Sequence, residues 1–202
     1  MELDFIFSII ILIMSVVIHE VSHGYMAYAF GDPTAKIAKR LTLNPFSHLD
    51  LVGSIIVPMI MFISNTGFIF GWAKPVPYNP YNLRNARWGE PLVALAGPLS
   101  NFMVAIVFGL LIRLGLLGGT LMYAGSMIVL VNLVLGIFNL IPIPPLDGSK
   151  VLFGFFPYQL VKIRNFLEAN WFWILLIFVF FLWKFVTPLV AIAFSLLTGL
   201  SL

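Results

Sequence analysis

The stretch Ile18-His19-Glu20-Val21-Ser22-His23 places two histidines four residues apart, with a glutamate directly after the first. Residues with this spacing share one face of a helix, so both imidazoles can reach a single metal ion. Glu20 is then placed to hold a metal-bound water and to take its proton. The stretch ends an apolar run that begins at Phe5, where ionisable side chains are costly unless they have partners. This pattern predicts a functional metal site inside a hydrophobic helix.

The composition is typical of a membrane protein. Of the 202 residues, 61% are hydrophobic and 9% are charged, and the mean hydropathy is +1.05. Soluble globular proteins carry about 25% charged residues. Because one membrane-spanning helix needs about 20 apolar residues, this length allows about five or six spans. We therefore expect a polytopic all-α protein in which residues 1–202 form a single membrane-embedded domain.

The residue types limit which side chains can bind a metal, and the charge indicates what the protein can bind. The chain has no cysteine, which excludes disulfides and thiolate ligands, and its only histidines are His19, His23 and His48. The net charge of +3 fits a role in membrane topology rather than nucleic-acid binding. Glu2 and Asp4 leave the N-terminus without the positive region of a secretory signal, so we expect the first helix to be retained.

Glycines, prolines and polar residues divide the chain into segments. The first helix is predicted from Leu3 to about Phe30, where Gly31-Asp32-Pro33 ends it. Later apolar or amphipathic helices are predicted at Leu51–Phe70, Glu90–Leu117, Thr120–Leu140, Ser149–Phe156, Pro157–Glu168 and Trp171–Leu197. Between Leu51–Phe70 and Glu90–Leu117, the proline-rich stretch Gly71–Gly89 predicts a short extended region.

The path of Leu51–Phe70 decides the topology. Pro58 and Gly67 interrupt this segment, which favours a re-entrant or hairpin path over an ordinary span. Such a path would bring the ends of the first helix, of Glu90–Leu117 and of the Asp147 turn to one side of the membrane. That side would then carry nine of the eleven basic residues, namely Lys36, Lys39, Arg40, Lys74, Arg84, Arg87, Lys150, Lys162 and Arg164. The positive-inside rule makes it cytoplasmic, with the metal site about 15 Å below the surface at 1.5 Å per residue.

A third metal ligand is needed, because a catalytic zinc takes three protein ligands and keeps one position open. Asp147 is the best candidate, since it is the only acidic residue between Arg113 and Phe156 and lies in a turn rich in proline. The alternative is that Asp147 caps the short helix Ser149–Phe156.

Several motifs resemble those of the site-2 protease family of intramembrane zinc metalloproteases. The stretch Asn139-Leu140-Ile141-Pro142-Ile143-Pro144-Pro145-Leu146-Asp147-Gly148 resembles the N-x-x-P-x-P-x-L-D-G motif of that family. The H-E-x-x-H pattern in a first helix and Gly97-Pro98 opening a later helix extend the resemblance over most of the chain. Further positions are similar to those of short prokaryotic members: Arg40-Leu41-Thr42-Leu43-Asn44-Pro45, His48, Asp50 and Gly53.

The resemblance implies a role for each of these residues. His19, His23 and Asp147 would bind one zinc ion per chain, and Glu20 would act as general base toward a zinc-activated water. The family cleaves membrane-spanning helices of other proteins, so the expected partners are a transmembrane substrate and the lipid bilayer. The expected location is a prokaryotic cell (inner) membrane. We find no PDZ or CBS domain of the kind many members carry, so the trigger, the substrate and the oligomeric state stay open.

A further hydrogen-bond donor is expected to help stabilise the oxyanion of the reaction. Asn139, His48 and Asn101 are the candidates, and each of them could instead make a structural hydrogen bond. A substrate helix must unwind before it is cleaved, and Gly71–Asn82 could offer the amides of an extended edge to the unwound strand.

Two other functions are compatible with a metal site in a membrane. A divalent metal transporter should show inverted repeats with matched broken helices, and we find no such repeat. A proteolytically inactive binding protein should have lost Glu20 or a ligand, and none is lost. We therefore prefer the intramembrane endopeptidase.

Overall fold

The computed structural model describes residues 2–63, 73–85, 87–156 and 160–202. The regular elements within these ranges are all helical, which confirms the all-α prediction. The α-helices are α1 Glu2–Ala29, α2 Thr34–Ile37, α3 Val57–Ile63, α4 Gly89–Arg113, α5 Thr120–Asn139, α6 Asp147–Phe155, α7 Val161–Ala169, α8 Trp171–Ile177 and α9 Trp183–Thr198. Short 3₁₀ turns lie at Pro45–His48 and Pro80–Asn82, and π-helical turns lie at Leu51–Ile56 and Phe178–Leu182.

Three of these helices are long and apolar enough to cross a membrane. They comprise Ile6–Ala29 within α1, the whole of α4 and the whole of α5. A fourth crossing is obtained if α7 and Trp171–Phe181, which meet at an angle of 81°, count as one bent span. The prediction of five to six spans is therefore not confirmed in the part of the chain that the structure describes.

Helix α4 is the centre of the bundle. It packs against α1, α5, α6 and α9, while α5 also packs against α1 and α9. A buried cluster of the described residues lies between α4, α5, α9 and the π-helical turn Phe178–Leu182, and its members are Ala105, Ile112, Val129, Leu133, Phe178, Val186, Val190 and Phe194. The short loop around Gly118-Gly119 makes α4 and α5 neighbours. This arrangement leaves one face of α4 against α1, where the histidine pair lies.

The ends of the segment between residues 49 and 73 meet. The amide of Lys74 donates a hydrogen bond of 2.9 Å to the carbonyl oxygen of His48. A single membrane crossing would separate the two ends by about 30 Å. The contact is what a hairpin requires, although residues 64–72 lie outside the described residues. The re-entrant path through the bilayer stays a prediction.

Residues 73–79 have no regular secondary structure, as predicted, and Asp32 fixes one end of them. Its carboxylate is fully buried and accepts hydrogen bonds from the amide of Asn79 at 2.6 Å and from the side chain of Asn82 at 2.8 Å. Thr34 donates to it through both its amide and its hydroxyl. Burial alone would raise the pKa of Asp32, but these donors outweigh burial and hold the pKa below its ordinary value. Asp32 therefore ties the end of α1 to the turn at Pro80–Asn82.

The substitution Asp32→Asn tests this link. Asparagine has one acceptor oxygen where aspartate has two, so at least one buried donor loses its partner, which costs about 1–3 kcal/mol. We expect a lower thermal midpoint of unfolding in detergent. The matched control is Glu168→Gln, because Glu168 pairs with Arg164 at 2.7 Å on the exposed surface, where such a pair contributes at most about 1 kcal/mol. Equal midpoints for the two variants would contradict the link.

Candidate metal centre

Three side chains that are distant in sequence meet in the interior of the bundle. His19 and His23 of α1 and Asp147 of α6 are 6%, 8% and 8% exposed. His19 Nε2 lies 3.0 Å from Asp147 Oδ2, and His23 Nε2 lies 3.1 Å from the same oxygen. The two Nε2 atoms are 3.0 Å apart, and their rings are nearly perpendicular at 85°. One ligand atom from each residue can therefore reach a common metal ion.

The donor set and its spacing fit zinc. Two imidazole nitrogens and one carboxylate oxygen are a ligand set of catalytic zinc sites, with the fourth position open. Ligand atoms at 2.0–2.1 Å from a tetrahedral zinc lie roughly 3.3 Å apart, and the three distances here are 3.0, 3.0 and 3.1 Å. Three electron-pair donors this close together in a buried position also call for a cation between them.

Hydrogen bonds at the far side of each ring turn both Nε2 atoms toward this position. His19 Nδ1 donates to the side-chain oxygen of Asn101 at 2.6 Å. His23 Nδ1 donates to the backbone carbonyl of Val93 at 2.7 Å. A neutral imidazole that donates through Nδ1 has its lone pair at Nε2, which is the protonation state that a metal ligand needs. Both acceptors belong to α4, so the packing of α4 on α1 sets the orientation of the two histidines.

A buried polar network continues behind His19. The Asn101 amide group donates to the side-chain oxygen of Asn132 at 2.8 Å and to the carbonyl of Ser15 at 3.3 Å. Asn132 in turn donates to the Ser15 hydroxyl at 2.9 Å and to the carbonyl of Ile128 at 2.9 Å. Sequence reasoning missed Asn132 and Ser15, although an asparagine in the middle of the apolar helix α5 was a usable signal. The network links α1, α4 and α5 at the depth of the histidines.

Gly97 explains how α4 comes this close to the histidines. A Cβ atom at residue 97 would overlap His23 Nε2 and would lie 2.6 Å from His19 Nε2. Any side chain there would therefore occupy the position of the metal. Gly97 thus allows close packing of α4 against α1 at the metal centre.

Asp147 is the first residue of α6, and the capping position before it is Leu146, which makes no side-chain cap. The Asp147 carboxylate contacts the two histidines instead, so the helix-cap alternative is wrong. The position at the positive end of the α6 dipole also favours the charged form. Gly148 allows the turn, because a Cβ there would overlap the carbonyl oxygen of Leu140.

Glu20 lies next to His19 on α1 and contacts the extended residues 73–79. Its Oε2 atom accepts a hydrogen bond of 2.8 Å from the amide of Val76. The Oε1 atom has no hydrogen bond within the described ranges. One carboxylate oxygen is thus held by the backbone, and the other is left for a proton.

The three proposed oxyanion donors form hydrogen bonds to other groups of the protein. His48 is 1% exposed, and its Nε2 atom donates to the carbonyl of Thr42 at 2.9 Å. Asn139 donates to the carbonyl of Leu135, one turn back in α5, at 3.0 Å. Asn101 touches the site through His19, but its amide hydrogens point away from the metal position, to Asn132 and Ser15. Of the three, Asn101 contacts a residue of the metal centre, His19.

Backbone amides of the proposed substrate-binding edge form hydrogen bonds within the protein. Gly71 and Trp72 lie outside the described residues. The amides of Lys74, Val76 and Asn79 donate to His48, Glu20 and Asp32 respectively. In this arrangement these amides cannot pair with a substrate strand, which overturns that part of the edge hypothesis.

Comparison with known proteins agrees with this geometry. The model of the family described as Peptidase family M50 matches residues 117–182, which include Asp147. A protein of Bacillus subtilis (strain 168) with the name "Putative zinc metalloprotease YwhC" is 38% identical over 192 residues. The alignment covers 91% of this chain and 81% of that protein. The chain belongs to peptidase family M50, the family of the site-2 proteases.

A second relative of this M50 peptidase is "Zinc metalloprotease MJ0392" of Methanocaldococcus jannaschii. It is 31% identical over 146 residues, which are 71% of this chain and 32% of that protein. The M50 peptidase therefore corresponds to about a third of this archaeal relative and to most of the Bacillus one. No solved structure matches the chain.

The substitution Gly97→Ala tests the contact of α4 with the metal centre. The added methyl group would lie against both Nε2 atoms, so we expect loss of most bound zinc, measured as zinc per chain by atomic absorption. The control is Gly118→Ala, since a Cβ at Gly118 meets nothing within 4 Å. Full zinc occupancy in the Gly97 variant would show that the helices are farther apart than in this structure.

The substitution Asn101→Ala tests the support of His19. Loss of a partner behind a metal-ligating histidine typically weakens metal binding 10–100-fold, so we expect a zinc dissociation constant higher by that factor in a chelator competition titration. Asn139→Ala is the matched control, because Asn139 bonds only to its own helix among the described contacts. A similar loss in both variants would assign the effect to general helix packing.

Proposed function

We propose that the chain is an intramembrane zinc endopeptidase that hydrolyses peptide bonds within or near the transmembrane helices of other membrane proteins. The relationship to family M50 supports a peptidase, and the names of the relatives support zinc. The observation that carries the proposal is the convergence of His19, His23 and Asp147, with Glu20 following the first ligand. This cluster is buried between helices that are apolar enough to span a membrane.

The residues of the site have different roles in hydrolysis. Zinc bound by His19, His23 and Asp147 would supply a Lewis acid that polarises the scissile carbonyl and makes water acidic near neutral pH. Glu20 takes a proton from the attacking water and passes it to the leaving amine. The burial of the ligands keeps the local dielectric low, which strengthens each of these electrostatic effects.

Asn101 and Val93 act as positioning groups in this proposal. They accept from the Nδ1 atoms of His19 and His23, which directs each Nε2 atom to the metal and raises its basicity. We assign Asn101 this role instead of oxyanion stabilisation, because its amide hydrogens already have acceptors. We give His48 and Asn139 structural roles, because they donate to the backbone carbonyls of Thr42 and Leu135 respectively.

The membrane setting follows from the same elements. Residues 49–73 begin and end at the contact between His48 and Lys74, which supports a hairpin that enters and leaves on one side. With that path, the positive-inside rule assigns the entrance of the site to the cytoplasmic face of a prokaryotic cell membrane. The substrate would be a membrane-spanning helix that unwinds locally, because its amides are otherwise paired.

A cleavage assay tests the function. Wild type and Glu20→Gln are incubated in detergent with a transmembrane peptide, and the products are measured by mass spectrometry. We expect cleavage by wild type and a loss of at least 100-fold in the variant, since a general base contributes about 10²–10⁴-fold. Zinc content should be the same in both, because Glu20 is not a ligand.

The other outcomes separate the alternatives. Equal cleavage by wild type and the variant would contradict the role of Glu20. No cleavage by either, together with zinc flux in liposomes that depends on His19, would favour a transporter. No cleavage, no flux and retained binding of the peptide would favour an inactive binding protein.

A further inference from the structure

The extended residues 73–79, which we name the strap, are bound to the rest of the protein along their length. The amide of Lys74 donates to His48 at 2.9 Å, and the amide of Asn79 donates to Asp32 at 2.6 Å. Between these two anchors, the amide of Val76 donates to Glu20 Oε2 at 2.8 Å. The strap is therefore held at both ends while its middle residue contacts the proposed general base.

Arg40 fixes the strap beside this contact. It is 9% exposed, and its Nη2 atom donates to the carbonyl of Lys74 at 2.7 Å and to that of Pro75 at 3.4 Å. Lys74 is thus bound through both its amide and its carbonyl. The side chain of Val76 is 5% exposed and packs over Gly24 of α1, where a Cβ atom would lie 2.8 Å from Val76 Cγ1. These contacts leave the Val76 amide little freedom to move.

The sequence of the strap suits this use. In extended backbone, alternate residues point to opposite sides, and here Val76 is buried while Pro75 and Pro77 on either side of it are exposed. The two prolines have no amide hydrogen to donate and restrict the residues before them to extended conformations. The chain thus keeps its amides for internal contacts and stiffens the backbone between them.

We infer that the Val76 amide positions the Glu20 carboxylate for proton transfer, and that Arg40 is a positioning residue that acts on Glu20 through the strap. The inference rests on the proposed function, because it gives the contact a role in hydrolysis. A hydrogen bond to one oxygen of a charged carboxylate is strong and directional. It fixes the rotation of the Glu20 side chain and leaves Oε1 as the oxygen that receives the proton.

The first test compares two substitutions of Val76. Val76→Ala keeps the amide and loses side-chain packing, whereas Val76→Pro also loses the amide. Misplacement of a reacting group by about 1 Å can lower the rate by about 100-fold. We expect kcat of the proline variant to lie at least about 10-fold below that of the alanine variant, with KM and zinc content similar in the two. A purely structural strap would change KM, zinc content or thermal midpoint together with kcat.

The second test concerns Arg40. Arg40→Lys retains a charged donor for the Lys74 carbonyl, and Arg40→Met does not. We expect a drop in kcat of about 10-fold or more for the methionine variant, with partial recovery in the lysine variant and unchanged zinc content in both.

The third test does not depend on activity. Amide hydrogen exchange at Val76 is measured by residue-resolved mass spectrometry in wild type, Glu20→Ala and Arg40→Met. We expect protection in wild type and exchange at least 10-fold faster in both variants. A Val76 amide that exchanges as fast in wild type as in Glu20→Ala would overturn the inference.

The outcomes separate the inference from the proposed function. Glu20-dependent cleavage by wild type, with equal kcat for the two Val76 variants, would overturn the inference and leave the endopeptidase intact. No cleavage by wild type would overturn the endopeptidase and the catalytic meaning of the contact, while the exchange measurement would still report whether the strap holds Glu20.

Discussion

The structure depends on one electrostatic constraint, which is that three ligand atoms converge within 3.0–3.1 Å of one another in a buried place. The lone pairs of two imidazole nitrogens and a carboxylate oxygen repel one another when they are buried this close together. The arrangement is stable only if a proton or a metal ion lies between the three atoms. Bringing them together costs free energy that apolar packing has to offset. The bundle does this by setting α4 against α1, α5, α6 and α9, so that the helix at the centre of the bundle also orients the ligands.

The close approach of α4 to α1 depends on Gly97 and also places two hydrogen-bond acceptors beside the histidine rings. Gly97 removes the side chain that would otherwise lie on the two Nε2 atoms. Once α4 is that near, Asn101 and the Val93 carbonyl reach the opposite edges of the same rings. A helix only slightly farther away would lose both acceptors and leave the imidazoles free to rotate. Helix packing and ligand orientation are therefore one property of this interface, with Asn132 of α5 extending it to a third helix.

How much could be predicted from the sequence differs from one residue to the next. The spacing of His19 and His23 and the isolation of Asp147 in an apolar tract carried a signal, because ionisable side chains in such surroundings need partners. The roles of His48 and Asn139 could not be derived, since each side chain donates to a nearby backbone carbonyl only once the chain is folded. The five to six predicted spans are not confirmed for the described residues, because apolar length alone does not distinguish a span from a short helix or a bent pair. The Val76 amide carried no signal, since every residue but proline has one.

A backbone amide is well suited to holding a general base in place. A side-chain donor such as lysine or arginine next to Glu20 would bring a full charge, which would stabilise the carboxylate and weaken it as a base. A backbone amide is neutral and short, and its direction is fixed by the chain on either side of it. Here that direction is set by Arg40 and His48 at Lys74 and by Asp32 at Asn79. The polar residues of the loop after α1 thus act on the site through the strap, and the geometry of Glu20 depends on side chains that never touch it.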